Sequence, residues 1–483
     1  MRFSKDIFHP AAYFPSTCCQ HATRDFLLRF LSVIIVSSML FSFSACRQKK
    51  LEFPTIPSSS TETQITVPDS SDSNAYTTPP TITIATPLSL ETCQYLAKLS
   101  VAKAEGMLGE GITGTNVSLE LLDAIDLPFV IEVYQTSMTG ASASAIESWN
   151  SSSSMPDIFV TDTYDSAITE GYCEPLNNWL ADNSLLSANN IYPSMVSQLY
   201  YDDSLMGIPY TSSVDLLYIN LEVLSAAGIN SVDFIQDMSS LSQLLATMQE
   251  GFATLDSDYL PYYRASELLS LLPASTQGAD YISMLDHEAL SENQSFIDSL
   301  LYLRSWYNNE YCFESLSEEE KEELFATSDP RLSRKVGIWV DHSSEMLRYD
   351  NNMPNTLSFA QLPSATSGEL STPVLTVYPI CVSSQSESKA IASDFAAFMA
   401  LDEDALLLRA RLENEEGFLP VVSFPSVWIA SMAAQKYGTY LSQYESVMNQ
   451  AVYSLHVISE DTYNEEMDEQ LHYGTDLILG IDE

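Results

Sequence analysis

The sequence predicts an α/β protein in two lobes, each a mostly parallel sheet flanked by helices. Three observations predict it. The chain has 483 residues, beyond the size at which one hydrophobic core usually stops growing, so two lobes are expected. From residue 82 onward, short continuous apolar runs alternate with stretches of helical periodicity. That is the pattern of strands buried on both faces and helices covering them. Hydrophobic residues make up 45% of the chain against 18% charged, which supplies enough apolar surface for large cores.

The elements follow in order. ITIAT at 82–86 reads as a short buried strand, ended by Pro87 and Ser89. Tyr95, Leu96, Leu99 and Ala102 then recur at helical spacing and place a helix near 91–105. FVIEVYQ at 129–135 is the next strand, a helix falls around Ala141–Trp149, and DIFVT at 157–161 is a third strand. Ligands of such sheets sit beyond the carboxyl ends of the strands, so 87–90, 136–140 and 162–166 are the loops to watch. Further on, VDLLYIN (214–220) reads as a strand, and Leu221–Ala227 as a helix stopped by Gly228. Ile297–Trp306 is helical, KVGIWV (335–340) is a strand, and Ile391, Phe395, Phe398 and Met399 mark another helix. No repeat of fixed period is present.

The first 80 residues read as an address and a tether. Phe26–Phe43 carries an uninterrupted apolar-and-Ser stretch after Arg29, with Arg24 and Arg29 as its basic flank, the composition of a signal-peptide core. It is short for a membrane span, which needs ~20 mostly apolar residues. It ends in Phe43-Ser44-Ala45-Cys46, which resembles a bacterial lipobox. The resemblance implies cleavage after residue 45, diacylation of Cys46 and display on the extracellular face of the cell membrane. An uncleaved anchor with an incidental cysteine is the alternative. Residues 46–80, rich in Ser, Thr and Pro and without periodicity, form a linker. Arg47, Lys49 and Lys50 would help seat the tether on anionic headgroups.

Charge excludes some partners. The chain carries 20 Lys+Arg against 65 Asp+Glu, and such a surface repels phosphate backbones, so no nucleic acid is expected. Cys93, Cys173, Cys312 and Cys381 are scattered, without C-x-x-C spacing. They could pair in three ways if all were oxidised; the preferred reading is small buried hydrophobes. No metal and no cofactor is expected, because close ligand pairs are absent.

Several segments, in order and at suitable distances, resemble the extracellular solute-binding proteins of ABC importers, nearest the sugar-binding group that includes maltodextrin-binding proteins. The resemblance is carried by Met155-Pro156-Asp157-Ile158, Gly171–Leu176, Met206-Gly207-Ile208-Pro209-Tyr210, Leu217-Tyr218-Ile219-Asn220 and Leu224–Ile229. It continues through Lys335–Met346, Phe359–Pro363, Ser388–Met399 and Gly417–Val421. It implies a type II periplasmic-binding-protein-like fold with hinge crossovers near Thr211–Asp215, Val377–Pro379 and Pro420–Phe424. The first lobe would be 81–211 with 377–422, and the second 212–376 with 423–483. It also implies a small-molecule solute, most simply a sugar or oligosaccharide, handed by a monomer to an ABC importer permease after closure about the hinge.

The same resemblance nominates ligand-binding residues. Asp215 aligns with an acidic position of the first crossover, and Tyr210 flanks it. Tyr262 and Tyr263 resemble aromatic cleft residues of the second lobe. Asp162, Thr163 and Tyr164 occupy the loop after the third strand, and Asp341 and His342 follow the strand that holds Trp339. Each has a bland alternative: a local cap or ion pair for Asp215, aromatics packed under a loop for Tyr262 and Tyr263, a solvated turn for Asp162 and Tyr164, a surface histidine for His342, and core for Trp339. An acidic cleft would also suit a polyamine, and Arg264 is the cation to check for an acidic ligand.

Enzyme readings are weaker. With 65 acidic residues, some carboxylate pair always looks like that of a glycan-processing enzyme. Ser386-Glu387-Ser388-Lys389 fits S-x-x-K, but no K-T-G follows. Gly109–Gly114 fits G-x-G-x-x-G, but it follows a helix, and Glu110 would repel a pyrophosphate. Ser317 and Glu320 make a capping box at a solvated helix start.

Overall fold

The computed structural model describes residues 79–480, apart from 164–169, 181–189, 193–194, 197–198, 202, 231–234, 256–257, 278–291, 325–328, 450–453 and 456–464. The expected leader, Cys46 and the linker to residue 78 lie outside the described residues, as does Tyr164.

The amino-terminal run forms as its periodicity requires. Strand β1 (Thr81–Thr86) is followed by helix α1 (Leu90–Ala104), strand β2 (Val130–Gln135), helix α2 (Ala143–Ser151) and strand β3 (Ile158–Val160). Ser89 caps α1 by accepting from the Thr92 amide. β1 pairs in parallel with β2 and with β3. Cys93, Leu96, Leu99 and Ala102, on one face of α1, are fully buried against this sheet.

Two long strands then organise the molecule. β4 (Ile208–Asn220) is 13 residues long and buried throughout. It continues into helix α3 (Leu221–Ala226), and helix α4 (Met238–Leu255) leads to strand β5 (Leu260–Tyr262). Helix α5 (Gln294–Asn308), strand β6 (Val336–His342), helix α6 (Met346–Asn352) and strand β7 (Leu357–Gln361) follow. The chain returns through β8 (Val374–Val382), helix α7 (Lys389–Leu401), helix α8 (Glu403–Leu412) and helix α9 (Pro425–Ala434). The strand order is β2–β1–β3–β8–β4–β6–β5, with β7 also on β4. The first half of β4 pairs antiparallel with β8, and its second half with β6 and β7. The outer pairs, β1–β2, β1–β3 and β5–β6, are parallel.

β4 begins six residues earlier than the apolar run at 214–220 indicates, because Thr211, Ser212 and Ser213 are polar yet buried there. β8 carries Pro379 inside a strand, where its missing N–H is tolerated only at an irregularity. The register of β8 on β4 shifts between Tyr378 and Pro379, and Pro379 lies opposite Pro209. The expected crossings at 211–215 and 377–379 fall within these two strands. A third segment joins them: the Ser212 amide donates to the Leu419 carbonyl (3.1 Å), and the Leu419 amide donates to the Ser212 carbonyl (2.7 Å).

The core divides by strand face. Leu216, Tyr218, Trp339 and Tyr349 join the cluster that runs through the amino-terminal sheet. Leu217, Ile219, Ile338, Val340 and Tyr262 face a second cluster under α4 and α5. Trp339 stacks on Tyr218 at 5.6 Å between ring centroids and is fully buried. Cys93, Cys173, Cys312 and Cys381 are buried and form no disulfide. Ser317 and Glu320 make the reciprocal bonds of a capping box, with the Ser317 amide 2.8 Å from the Glu320 carboxylate. The S-x-x-K residues separate: Ser386 donates to Asp157 (2.5 Å), and Lys389 pairs with Glu174 (2.6 Å).

Gly417 locks the third segment to the turn after β6. Its φ is +84°, and a Cβ there would stand 1.8 Å from the Ser343 carbonyl oxygen. Ser343 donates to the Gly417 carbonyl and accepts from the Val214 amide (3.0 Å). Gly417→Ala is therefore expected to destabilise the fold by on the order of 3 kcal/mol, read as a lower urea midpoint at unchanged m-value; a midpoint within error of the parent would contradict this packing.

Candidate functional site

Polar side chains from four chain segments gather where β4 and β8 cross. Asp215 stands at the middle of β4, directly opposite His342 at the end of β6. His342 Nδ1 lies 2.7 Å from Asp215 Oδ1. Ser213, two residues earlier on the same strand face, shares a 3.0 Å hydroxyl–hydroxyl bond with Tyr378 of β8. The Tyr378 ring lies 5.9 Å from that of Phe418 in the third segment. Asp162 follows β3 and reaches the same region, since β3 pairs antiparallel with β8 and the Thr161 amide donates to the Pro379 carbonyl (3.2 Å).

Electrostatics follow from burial and neighbours. Burial pushes the Tyr378 hydroxyl up to about 12; hydrogen bonds from Ser213 and Ser344 oppose this, and the two carboxylates add to it. Desolvation raises the Asp162 carboxyl, and a hydrogen bond from Thr139 (3.4 Å) partly offsets it. For His342, burial acts to lower the pKa, but the charge and hydrogen bond of Asp215 outweigh it, with Asp341 and Glu345 adding. The result is a pKa of about 9, so the pair is ionic at neutral pH.

The nominated residues do not all share this place. Alternation along β6 sends His342 to the crossing and Asp341 to the opposite face. There Asp341 accepts from Arg331 (2.8 Å), from the Tyr349 hydroxyl (2.7 Å) and from the His342 amide (2.8 Å). Arg331 also pairs with Asp329 at 2.9 Å. Tyr262 ends β5 and Tyr263 follows it, so alternation likewise sends the two rings to different clusters. Tyr262 is fully buried against Trp306 at 5.1 Å, while Tyr263 packs on Phe313 at 5.5 Å beneath Arg331 and Arg264. Tyr210 is buried under the Arg409 guanidinium, 4.4 Å above its ring. In this conformation Tyr210, Tyr262 and Tyr263 are buried in the core, and Asp341 is engaged by Arg331. Arg264 spans Tyr263 and Phe313 and reaches Glu267 at 4.0 Å. Thr163 donates its amide to Thr161 Oγ1 at 3.0 Å.

Tyr378 and Ser213 are the residues that sequence reasoning missed. The available signal was polar side chains inside buried strands: Thr376 faces Ser213, and Tyr378 faces Thr211, at the crossing. Among the described residues, no three His, Cys, Asp or Glu side chains gather as a metal ion would require.

The His342–Asp215 pair ties stability to pH. Its folded pKa of about 9 exceeds the unfolded value of about 6.5, so its contribution is full below pH 6.5 and is lost as pH rises through 9. Glu267, raised to about 7 by burial, loses its contribution in a lower window, between about pH 4.5 and 7. Urea unfolding at pH 6, 7.5 and 9 should show the parent losing stability across the upper window while His342→Gln changes less; parallel profiles for the two proteins would refute the ion pair.

No protein-family model matches the chain, and no curated protein does. Solved structures do. An ABC substrate-binding protein from Listeria monocytogenes, in complex with cycloalternan, superposes with a TM-score of 0.57 at 12% identity, covering 84% of this chain and 95% of that one. A structure from work on xylan utilization by Caldanaerobius polysaccharolyticus gives 0.52 at 15% identity, covering 83% and 96%. A family 1 extracellular solute-binding protein from Bifidobacterium longum subsp. infantis gives 0.52 at 12% identity, covering 83% and 94%. At this level of identity the likeness speaks to architecture, and from residue 79 onward the chain has the type II periplasmic-binding-protein-like fold of extracellular solute-binding proteins.

Proposed function

We propose that this chain is a solute receptor: it captures a small carbohydrate outside the cell and hands it to an ABC importer. One observation carries the reading. Asp162 after β3, Ser213 and Asp215 on β4, His342 on β6 and Tyr378 on β8 come from four chain segments, yet all converge on the crossing of β4 and β8. A ligand held there would touch both halves of the sheet system at once. Its contacts would then differ between open and closed arrangements, which is what lets a ligand drive closure. Sugars present hydroxyls that both donate and accept, and the crossing offers carboxylate, hydroxyl and imidazole groups to match them. The carbohydrate named for the Listeria relative supports the same choice of cargo.

The receptor reading includes the tether. Cleavage before Cys46 and its acylation would hold the domain on the outer face of the membrane as a monomer, with residues 46–80 as its leash. Among the described residues no helix is long and apolar enough to cross a membrane.

Two measurements test this. In a thermal-shift screen of the Cys46→Ser protein lacking residues 1–45, one class of oligosaccharide should raise the melting temperature in a concentration-dependent way. At a hundredfold excess over Kd the gain is about 2.7 kcal/mol. No shift with any sugar, together with turnover of a glycoside, would move the protein to the enzymes. In cells, Cys46→Ser should release the protein into the medium; retention with an unmodified N-terminus would remove the lipid anchor from the proposal.

A further inference from the structure

The crossing also indicates which solutes it refuses. The inference rests on the receptor reading above and deepens it. Although Asp215 is the acidic residue of the first crossover, its side chain is only 2% exposed, whereas that of His342 is 37% exposed. His342 Nδ1 is itself buried on Asp215, so the exposed part of the side chain is the remainder, which carries Nε2. An arriving solute meets the imidazole before it meets the carboxylate.

We propose that His342, held in place by Asp215, is the ligand-facing group of the crossing, and that it makes the site selective for neutral, acceptor-rich solutes over polyamines. Asp215 is then a positioning residue that acts through His342. The charges around the imidazole favour this assignment. Asp215 faces it from β4. Asp341, on its own strand, is committed to Arg331, and Glu345, in the following turn, to Arg348 at 3.0 Å. From β8, Tyr378 contributes a hydroxyl that stays protonated. The imidazolium and Asp215 cancel. A cation therefore meets the imidazolium first and finds Asp215 already paired, despite a formal net charge of −45 for the whole chain. A sugar hydroxyl finds a donor at His342 and acceptors at Asp162 and Tyr378.

The test is calorimetric titration of the parent, His342→Gln and His342→Gln/Asp215→Asn with spermidine, and separately with maltotriose and xylotriose. His342→Gln leaves Asp215 uncompensated and should gain spermidine affinity by at least about tenfold; the double variant should lose that gain. A parent that binds spermidine as tightly as His342→Gln overturns the inference, and so does a gain that survives Asp215→Asn. The sugar arms answer for the receptor reading by themselves: sugar binding by the parent without any spermidine gain keeps the reading and removes the selectivity. If His342→Gln does not fold, the parent supplies the measurement. Hexamethonium, whose charge does not titrate, should begin to bind as pH rises through about 9; equal weakness at pH 7 and pH 10 overturns the inference.

Discussion

The antiparallel pairing of β4 with β8 is the constraint on which the rest of the structure depends. β4 is buried over its whole length, so each of its peptide groups must find a partner inside the protein. β8 supplies partners for the first half, and β6 and β7 for the second. Where β4 passes from one set to the other, polar side chains fill the gap: Ser212, Ser213, Asp215, Ser343 and Tyr378 are all buried there. Burial of such groups is tolerable only when they bond one another. Ser343, which ties Val214 to Gly417, and Ser213, which ties β4 to Tyr378, show that they do.

Behind the crossing, an aromatic and ionic layer holds β6 in place. Tyr218 touches Trp339, Tyr349 and Phe359 at ring-centroid distances of 5.6, 5.1 and 5.2 Å, and its hydroxyl donates to the His342 carbonyl at 2.6 Å. Asp341 accepts from Arg331, from Tyr349 and from the His342 amide. A half-buried carboxylate with three donors is compensated; removing one donor would leave a costly charge. The layer therefore fixes the backbone of His342 from both its carbonyl and its amide, leaving only the side chain to meet solvent.

How much of this was legible depends on which physical signal each residue carries. β1, α1, β2, β3 and the second half of β4 were readable because apolar runs and helical periods report burial directly. The first half of β4 was not, since Pro209, Thr211, Ser212 and Ser213 interrupt its apolar pattern, and in β8 the apolar run is broken by Thr376 and Pro379. Asp215 and His342 were each nominated, but their pairing was invisible: β6 returns to β4 only after α3, α4, β5 and α5 have intervened. Tyr262 and Tyr263 were nominated together as aromatic cleft residues, with packing under a loop as the alternative. The structure makes Tyr262 the last residue of β5 and turns the two rings into different cores, a two-residue periodicity too short to recognise in three residues. Asp341 and His342 divided by the same rule.

The placement of two prolines links the crossing to motion. Pro209 and Pro379 face each other at the register shift, and neither has an N–H to give to the ladder. The ladder is thinnest there and regular on both sides, so bending β4 and β8 breaks fewest bonds at that point. In the proposed receptor, closure would bend the strands there. Tyr378 is the neighbour of Pro379, and Ser213 bonds to it. The polar cluster thus sits beside the place of least resistance rather than at a rigid centre. A solute bound to Tyr378 from one side and to His342 from the other would change the cost of bending directly. Binding and closure would be coupled through one set of hydrogen bonds, with no longer pathway needed.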